Sequence, residues 1–165
     1  MQPARVLRHL FATHWGTRRR FTSEVLARIE KTLLQIEGQH AGELRFAIET
    51  AFDLPELWYG ITPRQRALQV FGQLGVWDTS DNNGVLIYVL MADHDVEIIA
   101  DRAIAARVSQ AEWDAVCRDM EDNFRAGRFA EGSETGITAI GRLLGKHFPC
   151  RSGDRDEQPN KAILL

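Results

Sequence analysis

Four carboxylates are spaced so that a small sheet could gather them: Glu43, Asp78, Asp81 and Asp101. Glu43 opens a stretch of alternating polarity. Asp78 and Asp81 lie in a polar turn before one apolar run, and Asp101 closes a second. Asn82 and Asn83 add amide oxygens beside them. Hard cations such as calcium take about six to eight oxygens, carboxylate and carbonyl, and accept irregular loops. Left without a cation, such carboxylates would repel one another and some would titrate high. The competing reading is that all four are solvated loop residues or caps of helices and turns. An EF-hand is excluded: counting from Asp78, the required glycine falls at Asn83 and the closing glutamate at Val89.

Other chemistry is poorly supported. Ser80, Ser109 and Ser133 lack a G-x-S-x-G setting. No G-x-G-x-x-G follows a strand and no G-K-[ST] occurs, so the familiar nucleotide loops are missing. His94 reads as a turn residue rather than a general base. Asp114, Asp119 and Asp122 read as the wet face of a helix. Cys117 and Cys150 fit neither a zinc spacing nor a disulfide framework, so both are expected to be thiols.

The elements that must position the carboxylates centre on residues 82–104. Asn83-Gly84 is a turn signal. Val85 to Met91 and Val96 to Ala100 are apolar runs joined by Ala92-Asp93-His94-Asp95, which predicts a β-hairpin. Neither run alternates cleanly, so both strands should be buried on both faces. Antiparallel strands put Asp81 and Asp101 at the same end. Residues 43–50 alternate, with Leu44, Phe46 and Ile48 on one side, and predict a further strand. A helix over 63–75, with Thr62 as cap, Pro63 in the first turn and Gln65 reaching back, crosses between them. The two strands it joins are then parallel, which brings Glu43 to the same end. Residues 53–60 read as a loop with exposed Trp58 and Tyr59.

Helices are also expected over about 22–37, 109–124 and 129–147. The last carries Gly132, Gly136, Gly141 and Gly145, roughly along one side, suited to close helix approach. At the start, 3–15 forms an amphipathic helix with Val6, Leu7, Leu10, Phe11 and Trp15 as its apolar stripe. Docking of that stripe on the domain's own core is the favoured reading, and contact with a membrane surface the alternative. His9 and His14 read as surface or edge residues. The order α-α-β-α-β-β-α-α predicts an α/β fold: an α/β/α sandwich with a small mixed sheet and a central hairpin. The divisions are an N-terminal helix and basic segment (1–20), a main domain (21–149) and a polar tail (150–165). The tail is expected to be mobile, or held only by Ile163-Leu164-Leu165.

A chain of 165 residues suits one domain with a real core, and a net charge of −3 argues against a general nucleic-acid binder. Arg18-Arg19-Arg20, after Arg5 and Arg8, is either a solvated surface or a contact for an anionic partner or membrane. No stretch approaches the roughly 20 apolar residues of a membrane helix. The N-terminus does not resemble a secretory signal, so a cytoplasmic location is expected.

Several runs carry a family resemblance. They are G-E-L-R at 42–45, F-G-Q-L-G at 71–75, T-S-D-N-N-G-V-L-I-Y-V at 79–89, V-E-I-I-A-D-R at 96–102, the Trp113 helix and H-F-P at 147–149. Over residues 20 to 150 the chain is similar to the TPM domain family, in its bacterial branch without a membrane anchor. That family is named for a thylakoid lumen protein, a photosystem II repair protein and a nematode receptor modulator. The resemblance implies a Rossmann-like α/β/α sandwich. It also implies calcium binding at an acidic patch that includes Asp81 and Asp101, and the acid phosphatase activity associated with a plant member. Glu43 and Asp78 join that patch by the geometric argument alone. Two departures matter. Ala103 stands where the family usually has glycine, and Asn82 stands where it often has aspartate, with the loss of one negative charge. Two readings result: a calcium-binding domain with weak phosphatase activity, or a non-catalytic module assisting assembly or repair of a membrane-associated complex. In the second reading, the basic N-terminus and Trp58-Tyr59 are the contacts for an unknown protein partner.

Overall fold

The computed structural model describes residues 3–150 and 157–165. In chain order the elements are α1 (Pro3–Phe11), α2 (His14–Arg20), α3 (Ser23–Glu37), β1 (Glu43–Glu49), α4 (Leu54–Trp58), α5 (Pro63–Gln73), β2 (Gly84–Leu90), β3 (Asp95–Ala100), α6 (Arg102–Ala105), α7 (Gln110–Arg125), α8 (Phe129–His147) and β4 (Ala162–Leu164). The sheet order is β3-β2-β1-β4. β1 pairs parallel with β2, from Glu43 opposite Gly84 to Glu49 opposite Leu90. β2 and β3 form the expected hairpin, Val85 opposite Ala100 and Leu90 opposite Asp95.

Every residue of β1 and β2 is buried, as two-sided coverage requires. On one face α3, α7 and α8 cover Phe46, Ile48, Val85, Ile87 and Ile98. On the other, α5 and the α4 segment cover Ala47, Leu86, Tyr88 and Ile99. The caps read from sequence are in place. Thr22 accepts from the Val25 N–H at 3.3 Å, and Thr62–Gln65 and Ser109–Glu112 form capping boxes.

Several expectations are corrected. Residues 3–15 form two helices, because Thr13 turns extended and its Oγ1 caps α2 by accepting from Gly16 N–H at 3.1 Å. The apolar stripe does not dock on the core: Leu7, Leu10, Phe11 and Trp15 are exposed. His9 is buried instead. Phe52 N–H donates to its Nδ1 at 2.9 Å, which leaves the ring proton on Nε2, 3.2 Å from Asp93 Oδ1. His14 is exposed, with Nδ1 3.2 Å from Thr50 Oγ1. The 53–60 segment holds a short helix because Asp53 and Glu56 close a capping box around Pro55. The α8 glycines serve two faces. A Cβ at Gly132 would lie 2.8 Å from Asn123 Cβ and one at Gly136 would collide with Met120, both on α7, whereas Gly141 faces Ile36 of α3. Gly145 has only the Gln39 carbonyl near it.

Of the two expectations for the tail, anchoring through Ile163-Leu164-Leu165 holds, with further anchors at residues 157–159, while residues 151–156 lie outside the described residues. β4 adds to β1 in parallel, Phe46 opposite Ala162 and Ile48 opposite Leu164. Arg45 Nη1 donates to Pro159 O at 2.9 Å, and Leu165 N–H donates to Ile48 O at 2.8 Å.

Under α5, the strand residues facing away from Phe46 hold a buried polar cluster. Arg66 grips Glu49 with two nitrogens, Nε to Oε2 at 2.9 Å and Nη2 to Oε1 at 2.7 Å. Tyr88 Oη donates to the same carboxylate. Burial, then the bond to Glu49, raises the Tyr88 phenol above its ordinary range. Removing one partner of such a group leaves a buried charge unmatched. Glu49→Ala should therefore cost about 2–4 kcal/mol in urea unfolding, with Glu49→Gln less damaging.

At the far end of β3, burial pushes Asp95 up to about 6, helped by repulsion from Glu97, Glu121 and Asp93 and opposed by Arg5. The folded state then holds this proton more tightly than the unfolded chain does, so Asp95 costs stability as pH rises from about 4 to 6. Partial solvent screening limits the effect. Asp95→Asn should raise stability at pH 7 by about 1 kcal/mol and have little effect below pH 4, read from chemical unfolding across pH.

Candidate functional site at the loop end of the sheet

The parallel pairing of β1 with β2 puts Glu43 and the 78–83 loop at one end, and the hairpin returns Asp101 to it. Backbone bonds fasten these segments: Asp101 N–H donates to Gly84 O at 2.8 Å, Ala103 N–H to Asn82 O at 3.2 Å, and Glu43 N–H to Asn83 O at 3.1 Å. Asn82 takes a left-handed backbone, φ 53°, which asparagine tolerates better than most residues. Gly84 lies so close to Val76 that a Cβ would collide with its carbonyl oxygen, so the loop is pressed against the strand start.

The four carboxylates have different surroundings at this end. Glu43 is buried, and its oxygens accept from the backbone N–H groups of Glu157, at 3.2 Å, and Gln158, at 3.1 Å. It fastens the returning tail. Asp78 and Asp81 are exposed in the loop. Asp101 is half-buried and caps α6, Oδ1 accepting from Arg102 N–H at 2.6 Å, while Oδ2 is buried with no hydrogen-bond partner among the described residues. Among the described residues no group of three His, Cys, Asp or Glu side chains is arranged to hold a metal ion. Any cation here would need amide and backbone oxygens as well.

Asn83 supplies one. It is buried, donates through Nδ2 to Ala41 O and through its backbone N–H to Thr79 Oγ1 at 3.1 Å, and its Oδ1 is a second buried oxygen without a partner among the described residues. The sequence reading counted Asn83 as an amide donor set beside Asp81; its burial could not be seen there. Arg102 lies beside the loop. The strand ends at Ala100, the chain turns into α6, and Arg102 Nη2 donates to Asn82 Oδ1 at 3.1 Å.

Arg107 and His40 were missed by sequence reasoning. A cavity of about 170 Å³ opens beside the loop, lined by Ala41, Asp81, Asn83, Ala103, Arg107 and Phe148 among others. Arg107 stacks 4.7 Å from the Phe148 ring centre and donates through Nη1 to His147 O at 3.0 Å, so its guanidinium is held at the cavity wall. His40 is buried nearby, where Ala41 N–H donates to Phe148 O at 2.9 Å, and burial pushes its imidazole below the ordinary range. Nothing in the local sequence marked either residue, because the packing of the α8 terminus against the 40–42 turn is a long-range contact. His94, by contrast, is an exposed turn residue at the opposite end, as expected, with φ 53°. No described helix is long and apolar enough to cross a membrane.

The comparisons with known proteins agree with this architecture. The solution structure of the BA42 protein from the psychrophilic bacterium Bizionia argentinensis is 32% identical, with a TM-score of 0.77 over 87% of this chain and 94% of that one. The N-terminal domain of a P. gingivalis protein, 21% identical, shares the fold with a TM-score of 0.57 over 73% of this chain and 76% of that one. None of the curated proteins matches. The TPM domain matches residues 18–143, from α2 to within α8, and so covers the sheet core, the hairpin and the loop end just described. The chain belongs to the TPM domain family.

Proposed function

We propose that the loop end binds a divalent cation of the calcium class. The observation that carries this reading is the pair of buried, unpartnered oxygens, Asp101 Oδ2 and Asn83 Oδ1, on segments fastened to each other at the end where Asp81 and Asp78 also lie. A buried oxygen without a donor is costly in a finished structure, and a hard oxygen-seeking cation is a natural partner. Asp101, Asn83 and Asp81 would hold it. Asp78 adds negative charge in the loop. Glu43 contributes to the field of this end while its oxygens fasten the tail.

Weak phosphoester hydrolysis is the enzymatic form of the same reading. When bound, the cation polarises a phosphate oxygen. Arg107, fixed on the wall of the cavity that Asp81 also lines, offers the countercharge a phosphate requires. A second reading, a non-catalytic module for a protein partner in a membrane-associated complex, is favoured by Trp58 and Tyr59, 76% and 81% exposed on the α4 turn. Aromatic residues left in solvent this way are common anchors of interfaces.

Calcium titration of the metal-free chain by residue-resolved NMR tests the first reading. With few carboxylates, the expected dissociation constant is on the order of 10⁻⁴–10⁻³ M. Saturable shifts should centre on residues 79–84 and 101–103, and Asp101→Asn should weaken them at least ~10-fold while preserving the cap. Absence of shifts up to ~10 mM calcium would remove the cation reading and leave the interaction module.

A further inference from the structure

Helix α1 is docked the wrong way round for a helix that serves its own core. Its polar stripe faces inward. Arg5 Nε donates to Asp93 Oδ2 at 2.8 Å, His9 Nε2 lies 3.2 Å from Asp93 Oδ1, and the Arg5 guanidinium sits 5.3 Å from the Phe52 ring centre. Burial would raise the Asp93 carboxyl, but the bonds from Arg5 and His9 outweigh it and hold it low. The stripe that faces outward is apolar: Leu7 is 53% exposed, Leu10 55%, Phe11 79% and, on α2, Trp15 68%. The packing cannot be an accident of a weak apolar pattern, since the same helix buries a histidine and an arginine-bound aspartate while four large apolar side chains stay wet. A contiguous apolar surface of this kind marks a contact with something else.

The charge around it indicates what that is. Five of the chain's 20 basic residues and none of its 23 acidic ones fall before Glu24, although the whole chain is acidic. Arg19 stacks over Trp15 at 4.6 Å, with Arg18 and Arg20 beside it on the same short helix. Among the described residues, none of these three pairs with a carboxylate. On the flank of α1 a groove of about 600 Å³ is lined by Arg8, bound to Asp93, by Arg125, bound to Glu121 and Asp122, and by Arg20, which has no carboxylate partner among the described residues. Apolar side chains ringed by arginines, with a tryptophan at the border between them, match the chemistry of an anionic bilayer surface: acyl chains below, phosphates above. A second copy fits poorly, because a two-fold contact through this face would bring two arginine clusters together.

We propose that the outward face of α1 and α2, Leu7, Leu10, Phe11 and Trp15 framed by Arg18, Arg19 and Arg20, is a peripheral docking surface for an anionic membrane. Leu7 and Phe11 insert at the acyl boundary, Trp15 sits at headgroup level, and Arg18, Arg19 and Arg20 receive headgroup phosphates. This surface stands apart from the loop-end site, and α1 lies before the residues matched by the TPM domain.

Flotation of the full chain with vesicles tests the proposal, with a chelator present so that calcium at the loop end has no part. Vesicles of mixed phosphatidylglycerol and phosphatidylcholine should carry the protein up, and phosphatidylcholine alone should not. The double variant Leu7→Gln/Phe11→Gln and the triple variant Arg18→Gln/Arg19→Gln/Arg20→Gln should each reduce partition at least ~10-fold. All five side chains are exposed, so thermal unfolding should be unchanged. In the unaltered chain, added anionic vesicles should shift tryptophan fluorescence to shorter wavelength, and Trp15→Phe should remove that shift. The proposal is overturned by no flotation with anionic vesicles, by equal flotation with phosphatidylcholine, or by a double variant that floats like the parent. A dimer seen by sedimentation and dispersed by Leu7→Gln/Phe11→Gln would overturn it too, since a second copy would then own the face.

Discussion

The parallel register of β1 on β2 is the constraint on which the other positions depend. It runs unbroken from Glu43 opposite Gly84 to Glu49 opposite Leu90. Parallel strands need a crossover, and α4 with α5 supplies it on one face, leaving the other face for α3, α7 and α8. Because β2 then turns back as β3, the start of β1, the start of β2 and the end of β3 coincide. Three loops far apart in the chain become one surface. Gly84 allows this closeness, since its missing side chain is what lets the Val76 carbonyl lie against the strand.

Buried polar groups pin that frame at three points, each by a different means. Under α5, Glu49 is gripped by Arg66 and Tyr88, which fixes the crossover helix against the sheet. At the strand ends opposite the loop site, Asp93 draws in Arg5, Arg8 and His9 and so holds α1 by its polar side. At the loop end, Glu43 accepts the backbone of residues 157 and 158 and guides the tail into β4. In each case a charge taken from water is matched by several donors, the condition under which a buried ion is tolerable. At the loop end Asp101 Oδ2 and Asn83 Oδ1 stay buried without a hydrogen-bond partner among the described residues, on segments that backbone bonds fasten to each other.

The loop end and the N-terminal face divide the surface into two parts with different chemistry. One offers oxygens, with the guanidinium of Arg107 on the wall of its cavity. The other offers apolar side chains and arginines. Their placement at separate regions follows from the hairpin: its open end carries Asp101, and its tip, with Asp93 and His94, receives α1.

Local patterning determined a good deal by itself. The apolar runs of 85–91 and 96–100 specified a hairpin, with β2 buried throughout and β3, at the sheet edge and carrying Glu97, buried only in part; Thr62-Pro63-x-Gln65 and Ser109-x-x-Glu112 specified helix starts, because capping and strand burial act over a few residues. The crossover argument then placed Glu43, Asp81 and Asp101 at one end. Tertiary structure alone decided the rest. An amphipathic pattern shows that a helix has two faces but not which face docks, and here Asp93, eighty-odd residues away, captured the polar one. The role of Glu43 depended on backbone amides at the far end of the chain, and the burial of His40 and the position of Arg107 depended on where α8 ends. Short-range physics is written in neighbouring residues, whereas the choice among partners for a buried charge is made only when the whole chain has closed around it.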